Sequence, residues 1–272
     1  MWKRILYTAL KRNGWKQLFF YLSNLDITRF IEFSKIVEFL NKERHELRDE
    51  LILDIGCGYS VLPSIISNKC KHYICLDLSK NACMYQYSFP NVSTVVADMQ
   101  HIPFKTGTMS TILAISSIEH VPNDNMVFNE ISRISKKDAD IFFSIPYSNN
   151  GTETKKIERA KFMLDVLYRF KMLWKKILGV HLNYFIEQTS TDSFMKYYDM
   201  DEIDKMVRLN NFYIKNYYIY EKWLQKKFFG IIPRGWFVIK DFIFGYILWT
   251  IEDKFMQKNM NGNGIVLNIQ KH

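Results

Sequence analysis

The sequence predicts an α/β fold: a doubly wound, mostly parallel sheet of seven strands, preceded by N-terminal helices and carrying helical lid insertions. Between residues 51 and 145, short apolar runs alternate with helical patterns, which is typical of a parallel sheet. The first apolar run, Leu51–Ile55, passes directly into a Gly56-x-Gly58 turn. A strand, a glycine turn and a helix start, in this order, usually place a ligand beyond the carboxyl end of the strand.

Residues 1–48 are predicted to be helices that precede the sheet. Apolar residues recur at helical spacing from Trp2 to Leu10 with basic residues between them, and Asn13-Gly14 ends this pattern. Another helix is predicted to begin after Asp26, which is a common N-cap residue. The first helix suits either the protein core or a membrane surface, and the pattern leaves both open.

The core, residues 49–148, is predicted to hold the first five strands. Apolar, partly β-branched runs bounded by polar residues define them. The predicted strands are Leu51–Ile55, Tyr73–Leu76, Ser93–Ala97, Met109–Ile115 and Asp140–Ile145, with helices over 60–67 and 123–134.

The remainder of the chain completes the sheet and adds two insertions, so that residues 1–272 form one domain. A helix is predicted to open at Asp199 and to end near Asn210, followed by a sixth strand, Phe212–Tyr220, and a seventh, antiparallel strand, Gly264–Gln270. The segments 149–198 and 222–262 leave from the end of the sheet where ligands bind. We therefore expect them to form a helical lid.

Three acids, Asp54, Asp77 and Asp98, lie on or at the ends of the first three strands, with spacings of 23 and 21 residues. An acid after the second strand is placed to accept hydrogen bonds from ribose hydroxyls, and one after the third can accept from an adenine amino group. A pyrophosphate-binding turn would have a third glycine where this chain has Val61. Asp54 would also repel a pyrophosphate and suits a ligand that carries an amine or a sulfonium.

Asp54-x-Gly56-x-Gly58 after an apolar strand resembles the first motif of class I S-adenosylmethionine-dependent methyltransferases, and the six residues 53–58 are most similar to the type 11 methyltransferase-domain family. The segment 102–104 and the helix with Glu130-x-x-Arg133 resemble two further parts of that family. One departure is Met109-Ser110, where the family often has Phe-Asp. The resemblance covers about residues 50–147 and implies a Rossmann-like methyltransferase fold with S-adenosyl-L-methionine as cofactor.

The resemblance also implies which residues bind the cofactor. Asp77 matches the acid that binds the ribose, with Leu78 beside the adenine, and Asp98-Met99 matches the adenine-binding pair. The predicted cofactor-binding residues are Asp54, Gly56, Cys57, Gly58, Asp77, Leu78, Asp98, Met99 and Ser116.

The acceptor is expected to meet the loop after the fourth strand, residues 116–120. Methyl transfer is an in-line displacement and needs a base only if the acceptor loses a proton. His120 is the best candidate base because the pKa of histidine lies near neutrality, and Glu119 is its neighbour. A structural or solvent-facing histidine is the competing interpretation. Tyr147 either lines the acceptor pocket or is merely packed.

The net charge of +9 lies outside the core. Residues 51–148 hold seven basic and eight acidic side chains. By contrast, residues 1–25 hold five basic and no acidic side chains, residues 155–176 hold eight basic and two acidic ones, and residues 222–240 hold five basic and no acidic ones. These stretches predict contact with something anionic, or are simply solvated helix faces. Together with the aromatic second insertion they favour a small or lipid-like acceptor and an anionic membrane surface as partner.

Other classes are disfavoured. The four cysteines form no C-x-x-C pair, so we expect no metal site and reduced thiols in a cytoplasmic protein. There is no convincing signal peptide, and the longest apolar run, Phe242–Ile251, is too short to span a bilayer. Enzymes that methylate nucleic-acid bases usually have a Pro-Pro motif after the fourth strand, and this chain has Ser116-Ser-Ile-Glu-His, so nucleic acid is an unlikely partner.

Two alternative functions stay open at the sequence level. One is a catalytically silent methyltransferase-like protein that binds a partner through its basic, aromatic insertions. The other is a dinucleotide-dependent oxidoreductase, which Val61 opposes. The acceptor atom and the oligomeric state do not follow from the sequence.

Overall fold

The computed structural model describes residues 27–43, 47–148, 153–156, 194–220 and 262–272, together with Thr250. The described helices are α1 (Ile27–Glu43), α2 (Leu62–Ile66), α3 (Lys80–Tyr87), α4 (Asp124–Ile134) and α5 (Met200–Leu209). The described strands are β1 (Leu51–Ile55), β2 (His72–Asp77), β3 (Val92–Val96), β4 (Met109–Ile115), β5 (Ser135–Pro146), β6 (Glu153–Lys156), β7 (Phe194–Tyr197), β8 (Phe212–Tyr220) and β9 (Gly264–Lys271). Single 3₁₀ turns lie at Ser67–Lys69 and Ile118–His120.

Seven of these strands form one sheet in the order β3-β2-β1-β4-β5-β9-β8. Strands β1 to β5 are parallel, and β9 runs antiparallel to both of its neighbours, β5 and β8. Because crossovers cover both faces of such a sheet, its central strands are apolar on both sides, and Ile52, Leu53, Ile112 and Leu113 are fully buried. The predicted doubly wound, mostly parallel sheet is confirmed.

The sheet separates two apolar layers. On one face, α1, α2 and α3 pack through residues such as Ile36, Ile65 and Tyr85. On the other face, α4 and α5 pack through residues such as Phe128 and Val207. Because β1 to β5 run parallel, their carboxyl ends lie at the same end of the sheet. The glycine turn and the predicted acids lie at this end.

Most predicted element bounds agree with the structure, but the start of one strand differs and one helix was not predicted. The strand β5 begins at Ser135 rather than Asp140, and its pairing with β4 is irregular between Met109 and Thr111. Helix α3 was missed because its inner face includes small and polar side chains rather than an apolar stripe. Its N-cap is Ser79, whose side chain accepts a hydrogen bond from the Ala82 amide at 3.2 Å.

The two ends of the first insertion, which was expected to be helical, are paired strands instead. Strands β6 and β7 run antiparallel, with Glu153 opposite Tyr197 and Lys156 opposite Phe194. The rest of that insertion, most of the second one and the helices predicted before Asp26 lie outside the described residues. The predicted lid and the basic stretches that suggested a membrane surface therefore stay predictions.

Three further observations concern the described part of the chain. No helix there has both the length and the apolar character to cross a bilayer. No group of three metal-ligating side chains comes together there. All four cysteines are free and buried.

Candidate active site

The glycine turn after β1 adopts backbone angles that suit glycine. Gly56 has φ +66° and Gly58 has φ +49°, and the Gly56 amide donates to the Leu76 carbonyl at 2.7 Å. A Cβ on Gly56 would lie 2.5 Å from the Cβ of Ser117 and 3.0 Å from the Cε of Met99, whereas a Cβ on Gly58 would meet nothing within 4 Å. Packing thus requires Gly56, and Gly58 faces open space at the end of the sheet.

The carboxylate of Asp77, at the end of β2, is fixed by two backbone amides. Gly58 N–H donates to Oδ2 and Ser79 N–H donates to Oδ1, each at 2.8 Å. Each carboxylate oxygen keeps a second lone pair that can accept from a ligand hydroxyl. Beside it, the side chain of Leu78 is 74% exposed and offers a flat ring an apolar surface. This arrangement fits a ribose and an adjoining adenine.

Gln86 on α3 supports the glycine turn, and sequence reasoning missed it. Its side chain is fully buried, and Nε2 donates to the carbonyls of Gly58 and Ser60, each at 2.9 Å. The helix that carries Gln86 has no clear apolar stripe, so an inward-facing glutamine could not be distinguished from a solvated one.

Asp98 and Met99 follow β3 on the same side of the sheet. The half-buried carboxylate of Asp98 accepts from the Gln100 amide at 2.8 Å and from Gln100 Nε2 at 3.2 and 3.3 Å. Met99 approaches Gly56, as noted above. The structure therefore brings Gly56, Gly58, Asp77 and Met99 together at one edge of the sheet.

Asp54 occupies a different environment. It lies within β1 with its carboxyl group in the packed layer, 1% exposed, and Tyr73 OH donates to Oδ2 at 2.8 Å. Burial raises the pKa of Asp54 to about 7, the Tyr73 hydrogen bond opposes this shift, and the charge of Asp77 adds to it. Side chains within a strand point to a face of the sheet rather than past its end. A direct contact of Asp54 with a cationic ligand stays a prediction.

Cys57, between the two glycines, is also buried. A hydrogen bond with Cys75 and then burial raise the pKa of the Cys57 thiol well above its usual value. The thiol is therefore neutral and inert at physiological pH.

The segment after β4 packs against the glycine turn. Ser116 has φ +45°, a left-handed conformation that is uncommon for serine, and Ser117 Oγ donates to the Ile55 carbonyl at 3.1 Å. Ser116 Oγ donates at 2.7 Å to Oε1 of Glu32, a residue on α1 that is 1% exposed. The same Oε1 accepts from Ser144 at 3.3 Å and from the hydroxyl of Tyr220.

The structure separates the two predicted acceptor-side residues. Glu119 is buried, whereas the His120 side chain is half exposed, and 3.9 Å separates Glu119 Oε1 from His120 Nε2. Tyr147, directly after β5, is 5% exposed, and its backbone forms an isolated β-bridge with that of Tyr198. Tyr198 OH donates to Asp124 at 3.0 Å, which joins the end of the first insertion to α4 beside this loop.

Two segments that resembled the family bind each other. The Arg133 guanidinium donates to Glu130 and to the carbonyls of Ile102 and Phe104, and Glu130 accepts from the Ile102 amide at 2.7 Å. Arg133 lowers the pKa of Glu130 through the same hydrogen bonds. These residues stabilise the connection into β4 and lie in the scaffold rather than in the ligand site.

Comparison with known proteins agrees with the predicted family and fold. Residues 53–143 match the family described as "Methyltransferase domain". A ubiquinone biosynthesis O-methyltransferase of Hahella chejuensis is 25% identical over 142 residues, which are 50% of this chain and 60% of that protein. The matches span 60%, 42% and 33% of the lengths of three curated relatives, less than two thirds in each case.

Two solved structures show the same fold. One is the 1,6-didemethyltoxoflavin-N1-methyltransferase of Burkholderia thailandensis with 1,6-didemethyltoxoflavin and S-adenosylhomocysteine bound, at TM-score 0.52 and 10% identity, covering 88% of this chain and 78% of that one. The other is the geranyl diphosphate C-methyltransferase of Streptomyces coelicolor A3(2), with Mg²⁺, geranyl diphosphate and S-adenosyl-L-homocysteine, at TM-score 0.52 and 13% identity, covering 88% and 77%. Residues 53–143 of this chain therefore match the methyltransferase-domain family, and the chain shares the fold of these two methyltransferases.

Proposed function

We propose that this protein transfers a methyl group from S-adenosyl-L-methionine to a small or lipid-like acceptor. The observation that carries the proposal is the carboxylate of Asp77, fixed by the amides of Gly58 and Ser79 beside the exposed Leu78. A carboxylate held in this way is preorganised to accept two ribose hydroxyls without reorganisation.

The other donor-side residues fit the same ligand. Gly58 leaves room for the cofactor to approach the backbone, and in this proposal Asp98 and Met99, which follow β3 at the same end of the sheet, receive the adenine. Ser116 lies next to Ser117, which contacts the Gly56 turn. In this proposal Asp54 and Cys57 act mainly by shaping the turn, because both side chains are buried.

When bound, the cofactor supplies a methyl group that its sulfonium already activates. The chain then has to bind the acceptor in line with the methyl group and to exclude water. If the acceptor must lose a proton, the half-exposed His120 is the proposed base, and the buried Glu119 lies 3.9 Å from its Nε2. An acceptor that needs no deprotonation would make both residues dispensable for the chemistry.

The acceptor class draws its support from the similar proteins. One of them is named for ubiquinone biosynthesis, and two were crystallised with 1,6-didemethyltoxoflavin or geranyl diphosphate. These names favour a small molecule over a macromolecule. Nothing in these comparisons supports the catalytically silent alternative, and formation of S-adenosylhomocysteine in the presence of a methyl acceptor would exclude it.

Isothermal titration of the folded protein with S-adenosylhomocysteine tests the donor side. We expect the wild type to bind and Asp77→Ala to bind about tenfold to a hundredfold more weakly, because hydrogen bonds to a charged group are lost. Asp204→Ala, which removes an exposed acid on α5, is the matched control and should bind as the wild type does. A folded wild type that does not bind, or an Asp77→Ala variant that binds equally well, would contradict the proposal.

A further inference from the structure

We infer that Glu32 is a positioning residue for the cofactor site: it holds Ser116 in the left-handed conformation that places the segment after β4 against the glycine turn. The inference rests on the proposed function, since it concerns the same site. Glu32 lies on α1, far from the sheet edge in sequence, and is 1% exposed. Its Oε1 accepts from Ser116 Oγ at 2.7 Å.

The contacts of Glu32 converge on the ends of three strands. Besides Ser116, which follows β4, the same Oε1 accepts from Ser144 on β5 at 3.3 Å and from Tyr220 at the end of β8. A buried carboxylate is costly unless it is hydrogen-bonded, and three hydroxyl donors on one oxygen stabilise it. The arrangement fixes the Glu32 oxygen in place, so that Ser116 is tethered to a rigid point.

Ser116 is the residue on which the tether acts. Its φ of +45° is strained for a residue with a Cβ, and its amide donates to the carbonyl of Ser144 at 3.0 Å and to Ser144 Oγ at 3.1 Å. Such a conformation persists only when the surroundings impose it. The hydrogen bond from Ser116 Oγ to Glu32 is one such constraint, and it acts on the side chain of the strained residue itself.

The angle at Ser116 decides where Ser117 lies. Ser117 Oγ donates to the Ile55 carbonyl. The Ser117 Cβ lies so close to Gly56 that residue 56 has no room for a side chain. A change of the Ser116 backbone would move Ser117 against or away from the turn that carries Gly58. The contacts therefore connect Glu32 to the cofactor-binding turn through Ser116 and Ser117.

The test compares four variants by titration with S-adenosylhomocysteine. Glu32→Ala removes the tether, and we expect affinity to fall by about tenfold or more. Glu32→Gln keeps an oxygen at the same position and should stay within about threefold of the wild type. Glu38→Ala removes an exposed acid from the same helix, one that pairs with Lys35, and should bind normally. In the double variant Glu32→Ala/Ser116→Gly, glycine adopts the left-handed angle without strain, so affinity should be restored.

A second measurement does not depend on ligand binding. Hydrogen exchange of the Ser116 amide, followed by NMR, should be faster in Glu32→Ala than in the wild type and unchanged in Glu38→Ala. Normal Ser116 protection and normal affinity in Glu32→Ala would overturn the inference, and so would a double variant that binds as weakly as Glu32→Ala. A wild type that shows the expected exchange but binds no S-adenosylhomocysteine would instead contradict the proposed function.

Discussion

The buried carboxyl group of Asp54 predicts an unusual dependence of stability on pH. Its pKa is about 7 in the folded protein, against 3.8 for an ordinary aspartate, mainly because burial disfavours the charged form. Below pH 3.8 the group is protonated in both states and makes no difference. As the pH rises towards 7, the unfolded chain releases the proton while the folded chain retains it, so the free energy of unfolding falls. Above pH 7 the carboxyl group is ionised in both states, and the free energy of unfolding falls no further on its account.

The magnitude follows from the two pKa values. Each unit of difference corresponds to about 1.4 kcal/mol, so Asp54 should lower the free energy of unfolding by about 4 kcal/mol across this range. Asp54→Asn has the same shape and can still accept the Tyr73 hydrogen bond, but it cannot ionise. Relative to the wild type, the variant should therefore gain stability steadily as the pH rises from 4 to 7.

Urea unfolding at a series of pH values, monitored by circular dichroism, measures this difference. The titrations of groups that do not interact with Asp54 cancel when the wild type is subtracted from Asp54→Asn at each pH. Asp204→Asn, at an exposed acid on α5, serves as the control and should run parallel to the wild type. If Asp54→Asn also runs parallel, the carboxyl group is not held neutral by burial and the reasoning fails.

Two further predictions concern stability. Asn268 on β9 is fully buried, and within the described part of the chain neither its Nδ2 nor its Oδ1 has a hydrogen-bond partner. Asn268→Leu should therefore raise the free energy of unfolding by about 1–3 kcal/mol in urea denaturation. An unchanged or lower value would mean that the amide is satisfied. Arg133→Lys loses the guanidinium group that joins Glu130 to the carbonyls of Ile102 and Phe104, and it should lower the free energy of unfolding by about 2 kcal/mol. Lys137→Arg, on the exposed start of β5, is the control and should have no effect. Equal stability of the two variants would contradict this structural role of Arg133.

The fold was predictable because its signals are local. A strand such as Leu51–Ile55 is an apolar run interrupted only by Asp54, and the glycine turn follows it directly. The position of Asp77 also followed from one repeat of strand and helix. Asp54 shows the limit of that reasoning, because it shares the same spacing but lies inside its strand, where alternation turns its side chain into the packed layer.

The parts of the site that were missed depend on contacts between distant segments. Glu32 meets Ser116, Ser144 and Tyr220, which lie 84, 112 and 188 residues further along the chain. No periodicity within α1 indicates which acid will be covered by strands that fold against it. Gln86 is similar, because its partners at Gly58 and Ser60 belong to a turn on another element.

The bridge between Tyr147 and Tyr198 has a consequence for how this protein can change over evolution. The Ser148 amide donates to the Tyr198 carbonyl at 2.9 Å, and the Asn263 amide donates to the Tyr220 carbonyl at 3.1 Å, so each insertion leaves the sheet and returns to it at nearly the same point. The length and content of either insertion can therefore vary without moving the strands that flank it. Under the proposed function, a change of acceptor would therefore require changes in the insertions, while the residues around Asp77 stay as they are.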